Sequence, residues 1–313
     1  MVALACALAG ASCRPSSEIR PPFIEESRAP GGALEGTILF TSNGEANFGI
    51  FALDPSARPD DRRSFAVTDP GIRTRSPAYA PGGGRLAYAV VRSGSGGIAV
   101  VERPGAPPRM VVDGEGLFDY PSWSPDGSQI AYAFSPGFLD SWNLYVVDVA
   151  GGATRQLTST DRQDWYPAWS PDGARIAFTS DRDGDNAIWW VGPDGGAPEK
   201  VVDSLSADEG PVWSPDGRRL VFTSKRELDR WQLYEVDPLT RVERQVIRTD
   251  TVDRYPRFSP DGRYLVVSSG YVAIYRADGG TFPDGSDRWK LSGRLSLGAA
   301  AWSPRPNDFP TPA

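Results

Sequence analysis

The chain has 313 residues, of which 40% are hydrophobic and 23% charged, a balance typical of a folded protein and not of a disordered one. The net charge of −7 comes without a cluster of lysine and arginine, which excludes duplex nucleic acid as a partner and disfavours anionic membrane surfaces. The sequence contains no histidine, so Ser-His-Asp catalysis, Cys-His catalysis and imidazole metal sites are excluded.

The first 13 residues predict an export signal. Residues 2–11 are almost all small and apolar, too few to span a bilayer but enough for the core of a signal peptide. One interpretation is cleavage after Ala11. In a second, Gly10-Ala11-Ser12-Cys13 resembles the lipobox of bacterial lipoproteins and Cys13 becomes the lipidated first residue; a third is an ordinary chain end with a spare cysteine. Residues 14–33 are rich in proline, serine, glutamate and arginine, lack periodicity, and predict a flexible tether.

One motif recurs along the rest of the chain: proline, any residue, an aromatic, serine, proline, aspartate and glycine, followed by an apolar run. The first copy, at 77–83, has alanine and glycine in place of serine and aspartate, and the last copy is truncated. The six aromatic residues are 44, 46, 44, 45 and 44 residues apart and are Tyr79, Trp123, Trp169, Trp213, Phe258 and Trp302. The Pro-x-aromatic piece predicts a short strand, Ser-Pro-Asp-Gly a tight turn, and the remainder of each unit three further strands. Four antiparallel strands in a unit of this length form a propeller blade, and we expect the aromatic residues to pack between neighbouring blades.

The two ends of the chain complement each other. The last motif stops at Trp302-Ser303-Pro304, whereas apolar runs without a preceding motif occur at 37–41, 48–53 and 64–68. Together they predict one shared blade whose innermost strand comes from the carboxy-terminal end, which leaves no open sheet edge. The sequence therefore predicts an all-β protein, a six-bladed β-propeller of four-stranded antiparallel blades over residues 34–304, followed by a tail at 305–313.

The Trp-Ser-Pro-Asp-Gly turn followed by an apolar strand resembles the WD-type repeats of the TolB propeller family, which also occur in tricorn and prolyl-oligopeptidase-like proteins. The resemblance covers residues 35–304 and implies the six-bladed fold. TolB proteins also carry an α/β domain before the propeller, to which nothing in this sequence corresponds. The resemblance further implies a periplasmic protein that binds partners such as a peptidoglycan-associated lipoprotein.

Charged residues precede most of the repeated prolines, where each inner strand is expected to begin near the axis. Four of the six blades place an acidic residue there, with arginines interspersed. Such a ring of carboxylates would attract a basic peptide segment or a cation; alternatively, each aspartate bonds to local amides at the strand entry. The candidate rim residues are Arg75, Asp119, Asp164, Trp165, Asp208, Glu209, Asp253 and Arg254.

The hairpins that follow the second strands should flank the same channel mouth. They carry large apolar side chains, which would be interface hot spots if exposed and blade cover if folded back. These residues are Phe138, Leu139, Trp142 and Trp231. A further hairpin, 181–186, superficially resembles a calcium loop, but its glycine and final ligand are misplaced, so we expect no metal and no cofactor.

These features predict a non-catalytic, exported binding platform for an envelope protein or peptide, with a monomeric body. We expect it in the periplasm or at the outer membrane, held to the membrane only through lipid on Cys13. One alternative is a glycan or small-ligand receptor that uses Trp165 and the hairpin aromatics. Another is a hydrolase or lyase that uses the carboxylates of Asp164, Asp208, Glu209 and Asp253.

Overall fold

The computed structural model describes residues 34, 36–43, 48–55, 64–69, 71–227, 230–248, 254–268, 271–283, 285–292 and 296–303. The predicted export signal, tether and tail lie outside the described residues, as do Cys13 and Asp253. Within the described residues the secondary structure consists of 24 β-strands, and no helix there is long and apolar enough to cross a membrane.

The strands form six antiparallel sheets of four strands, which we number as blades and describe from the innermost strand outward. Blade 1 contains β24 (Ser296–Trp302), β1 (Ile38–Asn43), β2 (Phe48–Leu53) and β3 (Ser64–Ala66). Blade 2 contains β4 (Arg73–Tyr79), β5 (Leu86–Val91), β6 (Ser95–Val101) and β7 (Arg109–Glu115). Blade 3 contains β8 (Leu117–Trp123), β9 (Gln129–Ser135), β10 (Asn143–Asp148) and β11 (Thr154–Gln156).

The remaining blades repeat this order. Blade 4 contains β12 (Asp164–Trp169), β13 (Ile176–Ser180), β14 (Ala187–Gly192) and β15 (Gly195–Val202). Blade 5 contains β16 (Asp208–Trp213), β17 (Leu220–Glu227), β18 (Arg230–Val236) and β19 (Glu243–Ile247). Blade 6 contains β20 (Arg257–Phe258), β21 (Tyr264–Ser268), β22 (Val272–Arg276) and β23 (Trp289–Ser292).

Blade 1 closes the ring as predicted. Strand β24, from the carboxy-terminal end, pairs antiparallel with β1, and Trp302 lies opposite Ile38. The paired main chains leave no unpaired strand edge at this junction, which is the usual protection of a propeller against edge-to-edge association. The predicted all-β, six-bladed architecture is confirmed.

The repeated aromatic residues pack between blades. Trp123 of blade 3 is buried, and its Nε1 donates a hydrogen bond to the Ala78 carbonyl of blade 2 at 3.0 Å. Trp213 of blade 5 donates in the same way to the Ala168 carbonyl of blade 4 at 3.1 Å. Burial of an aromatic ring stabilises by about 2–3 kcal/mol, and the indole N–H keeps a partner. The expected inter-blade packing is confirmed.

The Ser-Pro-Asp-Gly turn is held by a fixed set of hydrogen bonds. In blade 3 the Ser124 hydroxyl donates to Asp126 Oδ1 at 2.6 Å and accepts the Gln129 N–H at 2.9 Å. The same carboxylate accepts the Ser128 N–H at 3.0 Å, and Gly127 takes the positive φ of 67° that ends the turn. The serine-to-aspartate bond, at 2.5–2.6 Å, recurs in the pairs Ser170–Asp172, Ser214–Asp216 and Ser259–Asp261.

The inner strands of blades 2 to 5, which are β4, β8, β12 and β16, are each interrupted by a β-bulge near the repeated proline. The residue before the proline has a positive φ of 52–63°, which is uncommon outside glycine. We call these the bulge residues, and with the corresponding residue of blade 6 they are Ser76, Tyr120, Tyr166, Gly210 and Tyr255. The bulge turns their side chains away from the ordinary alternation of the strand.

Candidate functional site

The central channel has two chemically different ends. We call the end where the inner strands begin the rim end, and the end with the Ser-Pro-Asp-Gly turns the turn end. The hairpins between second and third strands lie at the rim end, because each second strand starts at the turn end and runs back antiparallel to the inner strand.

Charged residues two positions before the repeated prolines form ion pairs between neighbouring blades. Arg75 of blade 2 lies with its Nε 2.9 Å from Asp119 Oδ2 of blade 3, in the geometry of an ion pair rather than of a hydrogen bond. Arg254 of blade 6 contacts Glu209 Oε2 of blade 5 through Nη2 at 2.5 Å. Trp165 occupies the same position in blade 4, between the two pairs. The structure thus brings these five predicted residues to one end of the channel.

Two further predicted acids lie one residue earlier in their strands and are completely buried. Arg182 Nη2 donates to both carboxylate oxygens of Asp164 at 2.9 Å, and its Nε donates to Ser180 Oγ at 2.9 Å. Arg226 repeats the arrangement with Asp208, at 3.2 and 3.3 Å, and with Ser224 Oγ. Sequence reasoning missed both arginines, although the repeated Ser-x-Arg after the second strand, at 180–182 and 224–226, was an available signal.

The described acids are therefore not a ring of free carboxylates. Exposure is 2% for Asp119 and 0% for both Asp164 and Asp208. Burial raises the pKa of Asp119, and Arg75 and the Ser76 hydroxyl, which donates to Asp119 Oδ1 at 2.6 Å, oppose that rise. The expectation of carboxylates open to a cation is wrong for these three residues, and local bonding describes them instead. Asp253 lies outside the described residues.

Large apolar side chains are exposed mainly at the rim end. Phe138 and Leu139, on the hairpin between β9 and β10, are 89% and 99% exposed, and Leu205, in the loop before β16, is 100% exposed. Ile72, just before β4, is 42% exposed. The only other exposed large hydrophobic residues in the described part of the chain are at the turn end, at 239 and 242. Sequence reasoning missed Leu205, an isolated leucine in a polar loop.

The other two hairpin aromatics fold back over the blades. Trp142 is half-buried in the core between blades 3 and 4, and its carbonyl accepts the Asp164 N–H at 2.8 Å. Trp231 is 9% exposed, with the Arg254 guanidinium 4.5 Å from its ring centroid. The expectation that Trp231 is an exposed hot spot is therefore wrong. The Arg254 guanidinium covers the ring through a cation–π contact.

Three bulge residues are tyrosines that contact one another inside the channel. The rings of Tyr120 and Tyr166 have centroids 4.1 Å apart, and those of Tyr166 and Tyr255 are 5.8 Å apart. Blade 5 separates the blades of Tyr166 and Tyr255, so their contact lies across the channel. Burial raises the pKa of Tyr120 and Tyr166, which are neutral at physiological pH. We call these three residues the tyrosine cluster. In the sequence, each of them directly precedes one of the repeated prolines.

The turn end of the channel contains a cavity of about 420 Å³. The middle residue of every Pro-x-aromatic piece lines it, with the aromatic residues and several prolines of the turns. That middle residue is small or aliphatic in five blades and is Arg257 in blade 6. Burial lowers the pKa of Arg257 to about 10, so the guanidinium remains charged at neutral pH.

Within the described residues, no three histidine, cysteine, aspartate or glutamate side chains come together to hold a metal ion. The buried acids have arginine partners at the distances given above, which leaves their oxygens occupied. The accessible side chains at the rim are therefore mainly arginines and large apolar residues.

A family model for the TolB beta propeller domain matches residues 59–305, most of the chain. The chain belongs to the TolB beta propeller domain family. Among curated relatives, the Tol-Pal system protein TolB of Francisella tularensis subsp. holarctica (strain OSU18) is 32% identical over 83 residues, 26% of this chain and 19% of that protein. The match therefore spans less than a fifth of that relative's length.

Solved structures share the propeller fold. TolB from Acinetobacter baumannii superposes with a TM-score of 0.72 at 20% identity, covering 87% of this chain and 67% of that chain. An oligogalacturonate lyase in complex with manganese superposes with a TM-score of 0.58 at 18% identity, covering 79% of this chain and 72% of that chain. At these identities the likeness concerns the fold alone, and one fold serves both a TolB and a lyase.

Proposed function

We propose that this TolB-family propeller is a non-catalytic, exported platform that binds an envelope protein or peptide at the rim end of its channel. The observation that carries the proposal is the exposure of four large apolar side chains at that end of the propeller: Ile72, Phe138, Leu139 and Leu205. Large apolar side chains that are fully exposed are candidate anchors of a protein interaction site.

The rim arginines supply the polar part of this surface. The side chains of Arg75 and Arg254 are 38% and 28% exposed, and they pair with the more deeply buried carboxylates of Asp119 and Glu209. A guanidinium has five N–H donors, so each retains donors for a carbonyl or carboxylate of a partner. A partner segment with apolar side chains and acidic or carbonyl groups complements this surface better than the basic segment expected from the sequence.

Catalysis by the rim carboxylates receives no support from their geometry. A general acid or base must lie within hydrogen-bond reach of its substrate, and Asp164 and Asp208 are fully buried behind arginines. A glycan receptor would use an open aromatic shelf, whereas Trp165 and Trp142 are both packed against the core between blades 3 and 4. Binding of a protein or peptide therefore remains the function that the rim supports best.

Export is part of the same proposal. A periplasmic location follows from residues 1–13 acting as an export signal, and attachment to a membrane follows from lipid on Cys13. The tether at 14–33 would then hold the propeller away from the membrane surface and leave its rim open to partners.

The proposal is tested by capture of partners from envelope extract with tagged wild type and a Phe138→Ala/Leu139→Ala variant. We expect wild type to enrich a defined envelope protein and the variant to lose at least about 90% of it, because two exposed anchors typically carry much of an interface's energy. The matched control is Leu239→Ala/Val242→Ala, which removes apolar area of the same kind at the turn end. Equal capture by all three proteins would contradict the proposal.

A further inference from the structure

The cavity at the turn end is a second site, separate from the rim. We propose that it binds a small organic monocarboxylate with an apolar or aromatic body, and that the Arg257 guanidinium holds the carboxylate. The tyrosine cluster lies between this cavity and the rim, and the inference does not depend on the proposed partner binding.

Arg257 differs from the equivalent residue of every other blade. Ala78, Ala168 and Ala301 stand at this position in three blades, and a serine and a valine in two others, so five blades leave the lumen open. A small residue is therefore compatible with this position. The arginine in blade 6 adds a cation to a cavity that the fold does not require to be charged.

The charge of Arg257 also lacks the compensation that the rim arginines have. Among the described residues, no carboxylate lies within ion-pair distance of Arg257, whereas Arg75, Arg182, Arg226 and Arg254 each have one. The one hydrogen bond of its side chain within the described structure runs from Nη1 to the neighbouring Pro256 carbonyl at 2.8 Å. A guanidinium has five N–H donors, so several remain for a ligand, and a carboxylate matches its planar fork.

A second unmatched donor belongs to the same cavity. Trp169 lines it, and its buried indole Nε1 has no hydrogen-bond partner among the described residues. The corresponding nitrogens of Trp123 and Trp213 both donate to a carbonyl of the preceding blade. Trp169 and Arg257, on two different blades, are thus both lining residues of one cavity with donors that lack a full set of partners.

The walls define the rest of the ligand. Apart from Arg257, the cavity is lined by proline, alanine, valine, serine, glycine and aromatic residues. Because Arg257 is the one charged residue among the described residues that line the cavity, a ligand with a single negative charge is favoured. A dianion would bring a second, uncompensated charge into an apolar space. A volume of about 420 Å³ lies in the range of small-molecule sites, and the flat faces of proline and tryptophan suit an apolar or aromatic body.

The test uses the full chain and three monocarboxylate probes, phenylacetate, benzoate and hexanoate, with phenylacetamide as the neutral analogue. Titrations followed by calorimetry and tryptophan fluorescence should give saturable binding of at least one acid at one site. Phenylacetamide should bind at least about tenfold more weakly than phenylacetate, because the charge-assisted hydrogen bonds are lost.

Three variants locate the site. Arg257→Gln should weaken carboxylate binding at least about tenfold, and Ala168→Leu should abolish it by filling the lumen without changing charge. Arg218→Gln, an exposed arginine beside the turn of blade 5, makes the same charge change outside the cavity and should bind as wild type. Near-ultraviolet circular dichroism establishes that each variant is folded.

Two results would overturn the proposal: no saturable binding of any of the three acids by folded wild type, or equal affinity of wild type and Arg257→Gln. Capture of envelope partners by the Phe138→Ala/Leu139→Ala variant reports on the rim alone, so failure at one end of the channel is distinguishable from failure at the other.

Discussion

A hydrogen bond from a serine hydroxyl to an aspartate two residues later recurs in four of the turns that end the inner strands. Hydrogen bonds lower the pKa of Asp126 to about 2. The largest contribution comes from the Ser124 hydroxyl, and smaller ones come from the amide and the hydroxyl of Ser128. The equivalent hydroxyls of Ser170 and Ser214 likewise lower the pKa of Asp172 and Asp216. The sequence motif predicted the turn because proline, aspartate and glycine each favour one of its positions.

This bond makes a testable contribution to the pH dependence of stability. Because the pKa of Asp126 is about 2 in the folded protein and about 4 in an unfolded chain, the ionised form stabilises the fold. That stabilisation is complete above about pH 5 and is lost as the pH falls towards 2. The difference in unfolding free energy between wild type and Asp126→Asn should therefore narrow over this range in denaturant titrations.

Asp161→Asn is the matched control, because Asp161 is 95% exposed and its nearest cation, Arg162, is 3.8 Å away. It makes the same charge change with little effect on stability at neutral pH. A difference between wild type and Asp126→Asn that stays constant from pH 5 to pH 2 would show that the turn carboxylate is not stabilised in the folded state.

At the scale of the strand, the sequence predicted which residues lie at the start of each inner strand but not their partners or their backbone conformation. The positions of Asp164 and Asp208 near the axis follow from the repeat spacing. Their arginine partners come from the end of the neighbouring second strand, so the pairing depends on strand register rather than on the local motif. The bulges were not predictable, because serine and tyrosine do not favour a positive φ and only Gly210 does.

Removal of one partner from a buried pair tests the importance of this arrangement. Arg182→Ala would leave the Asp164 carboxylate buried without a cation, and we expect a loss of about 3 kcal/mol in the free energy of unfolding, measured with urea. Arg162→Ala removes an exposed arginine from a weak pair and should cost less than about 0.5 kcal/mol. A loss below about 1 kcal/mol for Arg182→Ala would mean that water or another group replaces the guanidinium.

At the scale of the whole molecule, the regular spacing of 44–46 residues was sufficient to predict the fold, because a repeat of that length with four strands closes into a propeller. Ring closure by β24 and β1 was predictable from the incomplete motif at one end and the extra strands at the other. The use of the channel was less predictable. Side chains from blades far apart in sequence meet there, as the contact between Tyr166 and Tyr255 illustrates.

The two ends of the channel consequently differ in chemistry. The rim end combines paired charges with exposed apolar side chains such as Leu139, whereas the turn end has an apolar cavity with a single cation. Contact with a large partner suits the first and enclosure of a small anion suits the second. The tyrosine cluster lies between them along the inner strands.

The most direct test of partner binding at the rim is photo-crosslinking in the cell envelope, with a photoreactive phenylalanine analogue replacing Leu139 or, in a matched protein, Leu239. Both positions are exposed, at 99% and 85%, and lie at opposite ends of the propeller. We expect a discrete protein adduct from position 139 and none from position 239. An adduct from position 239 alone, or equal adducts from both positions, would contradict binding at the rim end.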